Sequence, residues 1–450
     1  LGELGCGEVM AVLRNPVPSA TRLQNESSVV SPVVLVARVA DWWFGKKLGR
    51  EFWKLLAVSF LFDSGMFVFF LLYNLYLLDL GFREDFLGWT TAAMALGTIV
   101  GSLPGGVLAR YGGLRKTLLV CFSAIPAICA LRAASAGGPW LIALAFLGGI
   151  ASSLWAVALP AVVAQITDSS NRAFAFSVIF AAGIGFGIVA GLVGGYLPKL
   201  FVFLPSVHSA LGAKRAALLF GCGLAALALW PASRLKRNAL HVAERRPRAR
   251  HHPRSRFVMR FFPALAIWSL ATGAFGPFFN AYFSRQLHFP VERIGAVFAG
   301  AQLVQVFAIL LAPVVFRSCG TINGIVYTQF ACAASLGWLA ASHGGRISAT
   351  AYASYTAFHW MSEPGMYTLL MTRVPRSDRA GASALNVLVI SGARAVAAGV
   401  AGVAFARFGY PIVMAAIVAA IVGSGCMFRF LLRDAGDGPL SEMQEECGAV

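Results

Sequence analysis

From about residue 50 onward, apolar residues run in blocks of roughly 18 to 27, separated by short polar stretches. A helix rises about 1.5 Å per residue, so such a block can cross a hydrocarbon core of about 30 Å. Inside lipid the backbone finds no water, which leaves helices or closed barrels as spanning structures. Barrel strands would be about 10 residues long and alternate in polarity. The blocks do neither, and they predict helices. Twelve spans fall roughly at 53–79, 86–109, 117–135, 139–164, 173–198 and 214–231, then at 257–284, 292–316, 322–341, 347–373, 380–405 and 410–432.

The two sets of six are related. A shift of 207 residues, the spacing of Gly88 and Gly295, also brings Arg110 onto Arg317, Gly113 onto Gly320 and Gly137-Gly138 onto Gly344-Gly345. It brings Ser170 onto Ser377, Arg172-Ala173 onto Arg379-Ala380 and Gly185 onto Gly392. Upstream of Gly88 the shift is 206, and Asn74-Leu75-Tyr76 meets Asn280-Ala281-Tyr282. One register held through spans and loops alike marks a duplicated unit. The expected fold class is therefore all-α integral membrane, with twelve transmembrane helices in two pseudo-symmetric six-helix halves. Paired halves of this kind place a solute site near the bilayer midplane, between them. The division expected is an N-terminal tail over 1–51, largely disordered, a six-helix half over 52–232, a basic linker over 233–256, a second half over 257–433 and a C-terminal tail over 434–450.

Composition agrees. Of 450 residues 58% are hydrophobic and only 12% charged, and the mean hydropathy is +0.72. A soluble chain of this size needs more charge on its surface. The net charge of +18 would fit nucleic acid, but the cations sit in loops and in the linker, from Arg234-Leu235-Lys236-Arg237 to Arg254-Ser255-Arg256. That is the positive-inside distribution, so no nucleic-acid partner is expected. It puts the linker and both termini in the cytoplasm of a multi-pass cell (inner) membrane protein, with Arg110, Arg115, Lys116, Arg172, Arg317, Arg373, Arg376 and Arg379 on the same side. Lys199, Lys214 and Arg215 are exceptions on the other side. Asp41-Trp42-Trp43-Phe44-Gly45-Lys46-Lys47 reads as an interfacial segment leading into the first span. The eight cysteines are scattered, Cys6 and Cys447 in the tails, with no metal or disulfide pattern. Patterns of embedded hydrolases and phosphate-binding loops are absent as well, so an enzyme and a resident cofactor are not expected.

Between spans 2 and 3 lies Gly105-Gly106-Val107-Leu108-Ala109-Arg110-Tyr111-Gly112-Gly113-Leu114-Arg115-Lys116. Its glycines and cations resemble the signature loop of the major facilitator superfamily, with a degenerate copy at Arg317-Ser318-Cys319-Gly320. Ala109 stands where that family usually has Asp, and Gly112-Gly113 sets the basic pair one residue further out. In span 4, Phe146-Leu147-Gly148-Gly149-Ile150-Ala151 is similar to a family pattern, with Ala145 in place of its Arg. In span 5, Gly187-Ile188-Val189-Ala190-Gly191-Leu192-Val193-Gly194-Gly195 is similar to the family's glycine-rich antiporter stretch without its Pro, and also fits close helix packing. The resemblance covers roughly residues 52–433. It implies a secondary transporter working by alternating access, with Gly106, Arg110, Gly112, Arg115 and Lys116 as a gating loop.

A charge at the bilayer centre costs about 2.5–3.5 kcal/mol and needs a partner, water or a task. Asp63, His359, Glu363 and Arg394 fall near the middle of spans. In span 1, Asp63, Phe67, Phe70 and Asn74 share one helical face, and the repeat sets Ser269, Gly273, Gly276 and Asn280 opposite them in span 7. Both stripes can line a central cavity or pair helices. His359 and Glu363 stack four residues apart in span 10 with Tyr352 and Tyr355, and can exchange a proton or clamp the helix. Pro364 and Gly365 follow at once, where a bend or break is expected. Arg394 needs an anion: Glu363, Asp63 or a substrate carboxylate or phosphate. Gln302, Gln305 and Asn386 complete the candidates. The expected partners are a small organic solute, protons as a coupling ion and membrane lipid, around a monomer. The competing expectation is a receptor-like sensor or scaffold that keeps the fold without transporting.

Overall fold

The computed structural model describes residues 48–432 apart from 169–170, 204, 206, 208, 236–255, 343 and 376–377, and describes only the backbone of 172, 173, 256 and 380. The two tails, the segment Asp41–Lys47, most of the basic linker, Cys6, Cys447, Arg376 and the repeat pair Ser170 and Ser377 lie outside the described residues.

Twelve long helices form the described chain. The first half holds α1 (Arg50–Asp79), α2 (Glu84–Val107), α3 (Leu114–Ala134), α4 (Gly138–Ile166), α5 (Arg172–Phe201) and α6 (Ala210–Ala226, extended by the short helix Leu229–Ser233). The second holds α7 (Arg256–Phe275), α8 (Val291–Cys319), α9 (Thr321–Ala341), α10 (Gly345–Arg373), α11 (Arg379–Phe408) and α12 (Tyr410–Leu432). All are long enough to cross a bilayer. Eleven also have the apolar composition this requires. The exception is α10, whose middle carries Tyr352, Tyr355, Thr356, His359, Ser362 and Glu363. A polar span must hide that face inside the protein, and Ser348, Tyr352, Tyr355 and Ser362 are indeed buried.

Repeat symmetry holds in the helix packing, in a loop turn and in one hydrogen bond. In each half the first helix packs on the fifth and sixth, the second on the fourth, and the third on the fourth and sixth. The loop after the second helix turns at Gly113 (φ 83°) in one half and at Gly320 (φ 79°) in the other, a conformation that side chains resist. Tyr76 donates to the carbonyl of Ala133 at 2.9 Å, and Tyr282 to that of Leu339 at 3.0 Å, each 57 residues downstream. Two elements depart from expectation. The second span opens into a π-helical turn, Leu108–Gly112, and α7 gives way at Gly276–Phe278 to a 3₁₀ turn before continuing as Phe279–Arg285. Pro277 removes a donor there, and the Pro277 carbonyl is taken up by Asn74 Nδ2 at 2.7 Å.

The expected break at Pro364 is absent: α10 runs unbroken from Gly345 to Arg373. Proline forgoes one hydrogen bond, but the ring of Phe316 from α8 lies where a Cβ on Gly365 would stand, 2.5 Å from it. Packing against Phe316 keeps the helix continuous through the position where sequence alone allows a break.

Candidate functional site

The halves meet along two crossings, α2 on α11 and α8 on α5. A Cβ on Gly88 would stand 2.5 Å from the Ala398 carbonyl oxygen and 2.9 Å from the Gly402 Cα. Its repeat mate Gly295 abuts the Gly191 carbonyl and the Gly195 Cα in the same way. The glycine stretch of α5 is thus a helix-packing surface, as small residues at membrane-helix crossings are. The contact continues along the same face of α5 to Gly187, which meets Gln302 of α8, while a Cβ on Gly185 or on its repeat mate Gly392 would meet nothing within 4 Å. The backbone-close crossings thus lie toward the end opposite the linker.

Polar contacts reinforce the closed end. Lys199 pairs with Glu292 at 2.7 Å across the α5–α8 crossing. Buried Glu84 accepts from the Tyr410 hydroxyl at 3.2 Å and lies 3.5 Å from Arg285 Nη1. Arg83 donates to the Ala406 carbonyl at 2.6 Å, and Arg285 to that of Phe82 at 3.2 Å. Asn74 and Asn280 join this seal: Asn74 Nδ2 reaches Asn280 Oδ1 at 3.3 Å, and Asn280 Nδ2 donates to the Leu71 carbonyl at 2.9 Å. Their amides bind helix to helix, which is the pairing alternative to cavity lining. At the linker end, by contrast, Lys54 and Arg115 bond carbonyls of their own half (Arg234 and Ser233), as do Arg260 (Leu431) and Arg379 (Val374). Of the other loop residues, Arg110 lies over the Tyr111 ring and Ala109 is buried. Gly112 packs near Leu108, and Gly106 faces open space. The charge exceptions have local causes too: Lys214 pairs with Asp79 at 2.6 Å and Arg215 donates to the Ala134 carbonyl at 3.2 Å.

Within the second half, α10 and α11 bring three candidates together. Glu363 Oε1 lies 3.4 Å from Arg394 Nη2 and 3.7 Å from His359 Nε2. Trp268 of α7 packs edge-on against the His359 ring, centroids 5.6 Å apart. Arg394 stays 39% exposed while Glu363 is 24% and His359 14%, so the cluster is open on the arginine side. Among the described residues, His359 Nε2 and Trp268 Nε1 are buried with no hydrogen bond of full geometry. Both face the Glu363 carboxylate, which is their hydrogen-bond partner at longer range. Gly273 of α7 lets Arg394 in: a Cβ there would be 2.9 Å from the Arg394 Cα.

Asp63 stands apart from this cluster and forms no ion pair among the described residues. It opens into a cavity of about 280 Å³ lined by α1, α2, α3 and α4, including Phe67, Phe70, Met94 and Trp155. The Trp155 side chain is its hydrogen-bond partner. The cavity borders the other half, because the Phe67 and Phe298 rings lie 6.3 Å apart and Gln302 Nε2 approaches Gly187 beside Phe67. Gln305 is buried within α8 and Asn386 half-buried on α11. Sequence reasoning missed Trp155, Trp268, Glu84 and Arg132. Arg132 is 4% exposed and stacks 4.1 Å over the Tyr73 ring, and a cation inside an apolar block was its signal. Nothing local marked the others, whose roles come from contacts 91 residues or more along the chain. Among the described residues no group of three His, Cys, Asp or Glu side chains is placed to hold a metal ion.

A polytopic helical protein of two pseudo-symmetric halves, tied together at one end and with charges inside its spans, has the architecture of a solute carrier. The sequence profile of the Major Facilitator Superfamily matches residues 55–398, and the chain belongs to that superfamily. No curated protein matches the chain. Solved structures similar in fold include the nucleoside transporter NupG, with 13% identity and a TM-score of 0.69 over 86% of this chain and 100% of that one. A bacterial homologue of the lysosomal transporter Spinster, inward-facing and occupied, has 13% identity and a TM-score of 0.70 over 86% of this chain and 98% of that one. The xylose transporter XylE from E. coli, inward-open, has 14% identity and a TM-score of 0.66 over 84% of this chain and 95% of that one. The protein is a multi-pass membrane transporter, not an enzyme.

Proposed function

We propose that this chain carries a small organic solute through the membrane by alternating access, with the cluster His359–Glu363–Arg394 coupling transport to protons. The observation that carries the reading is the one-sided seal: glycine crossings and ion pairs tie the halves at one end, while at the other Lys54, Arg115, Arg260 and Arg379 bond carbonyls of their own half. An alternating-access cycle needs such a one-sided closure and its reverse. The linker end, rich in cations, is the cytoplasmic end, and both termini lie there. Closure is then on the outside, and solute enters or leaves from the cytoplasm in this conformation.

Glu363 holds the coupling position because it faces a fixed cation and a titratable ring at once. Protonating it releases Arg394, whose guanidinium then turns to a solute or to the other half. Asp63, Gln302 and Asn386 supply polar contacts to the solute, and Asn74, Asn280 and Gln305 hold the helices around it. The test is uptake into liposomes across a panel of nucleosides, sugars and amines, with and without a pH gradient. Glu363→Gln should reduce uptake to its rate without a gradient. Gradient-driven uptake that survives this substitution removes Glu363 from the coupling step.

A further inference from the structure

Asp63 is a carboxylate that no cation of the protein neutralises among the described residues. Its cavity holds the rings of Phe62, Phe67, Phe70 and Trp155 and the thioethers of Met66 and Met94. One negative group in a box of π faces and soft sulfur is the chemistry that selects an organic cation. Ring faces attract positive charge, Trp most strongly, and thioethers pack on apolar bodies of varied shape. An anion would meet the bare carboxylate, and a polyhydroxylated sugar would find few hydrogen-bond partners on such walls. The partner half underlines the contrast. By the repeat shift, Ser152 in this cavity corresponds to His359, and Asp63 to Ser269. The second half thus keeps its carboxylate on the fourth helix, already paired with Arg394, while the first half keeps its carboxylate on the first helix, unpaired. Among the described residues, the first half's carboxylate is thus the one of the two without an ion-pair partner.

We infer that the cavity at Asp63 is a subsite for a small organic monocation, an alkyl or aryl ammonium whose nitrogen sits against the Asp63 carboxylate and whose apolar part lies between Phe67, Phe70 and Trp155. This deepens the transport reading and rests on it for its setting. At about 280 Å³ the cavity is at the small end for ligand sites, which fits a compound with one ring.

The experiment is equilibrium binding to the purified full chain in detergent, read by calorimetry and tryptophan fluorescence. The probes are phenyltrimethylammonium, its uncharged isostere tert-butylbenzene, and benzoate. The cation should bind at least tenfold tighter than the isostere, and benzoate should not bind. Asp63→Asn should lower affinity for the cation at least tenfold and leave the isostere unchanged, while Asp63→Glu should keep most of it. Trp155→Leu should weaken the cation more than the isostere. Equal affinity for cation and isostere, cation affinity retained in a folded Asp63→Asn, or no binding of the cation at all overturns the proposal. Binding is read without a membrane or a gradient. Loss of transport therefore leaves this result standing, and a failed binding test leaves the uptake assay to judge transport.

Discussion

Glu363 lies within the second half with a guanidinium on one side and an imidazole on the other. Removing the guanidinium leaves a carboxylate where an unpaired charge costs about 2.5–3.5 kcal/mol. Arg394→Leu should therefore lower the thermal unfolding midpoint and cut uptake at least about tenfold, the effect of about 1.4 kcal/mol. Adding Glu363→Gln should recover the midpoint, because the orphaned charge goes with it, but not the uptake. A double variant that unfolds as early as Arg394→Leu alone would show that the pair is not what Arg394 serves. All three residues were legible in the sequence, since an ionisable group inside an apolar block is conspicuous by its cost. Which anion Arg394 takes was not. Glu363, Asp63 and a solute anion were all candidates on paper, with the Glu363 salt bridge foremost, and the fold sets Glu363 3.4 Å from Arg394.

At the scale of elements, the crossings of α2 with α11 and α5 with α8 rest on backbone contact at Gly88 and Gly295. A side chain there has no room while the far end is closed. Overpacking of this kind costs about 1–3 kcal/mol, and the cost falls only on the conformation in which the helices touch. Gly88→Leu and Gly295→Leu should therefore shift the protein toward opening at the far end. A cysteine placed at Gly195 should then react with an impermeant maleimide from outside several-fold faster than in the parent. Unchanged labelling in both variants would mean that these crossings do not separate. At Gly365, whose Cβ would meet the Phe316 ring within one half, the same substitution should lower stability without moving the equilibrium. The repeat made the glycines visible as pairs. Their role stayed hidden, because close packing and a glycine-rich gate look alike until the facing helix is known.

The molecule as a whole is two copies of one unit, sealed together at the end opposite the linker. Lys199 with Glu292, and Glu84 with Arg285 and Tyr410, tie the halves at one end. In a cysteine-free background, Lys199→Cys combined with Glu292→Cys and joined by a short bis-maleimide should abolish uptake, and either single variant should transport. Uptake that persists through a completed cross-link would place the moving parts elsewhere. Twelve spans, their duplication and the family were settled by the sequence alone, because the cost of polar groups in lipid writes itself into block length and composition. The end at which the halves are tied, the pairing of Asn74 with Asn280, the unbroken course of α10 through Pro364 and the isolation of Asp63 were decided by tertiary structure. These depend on contacts between residues far apart in the chain, where one helix's glycine is meaningful only against the backbone that fills its place.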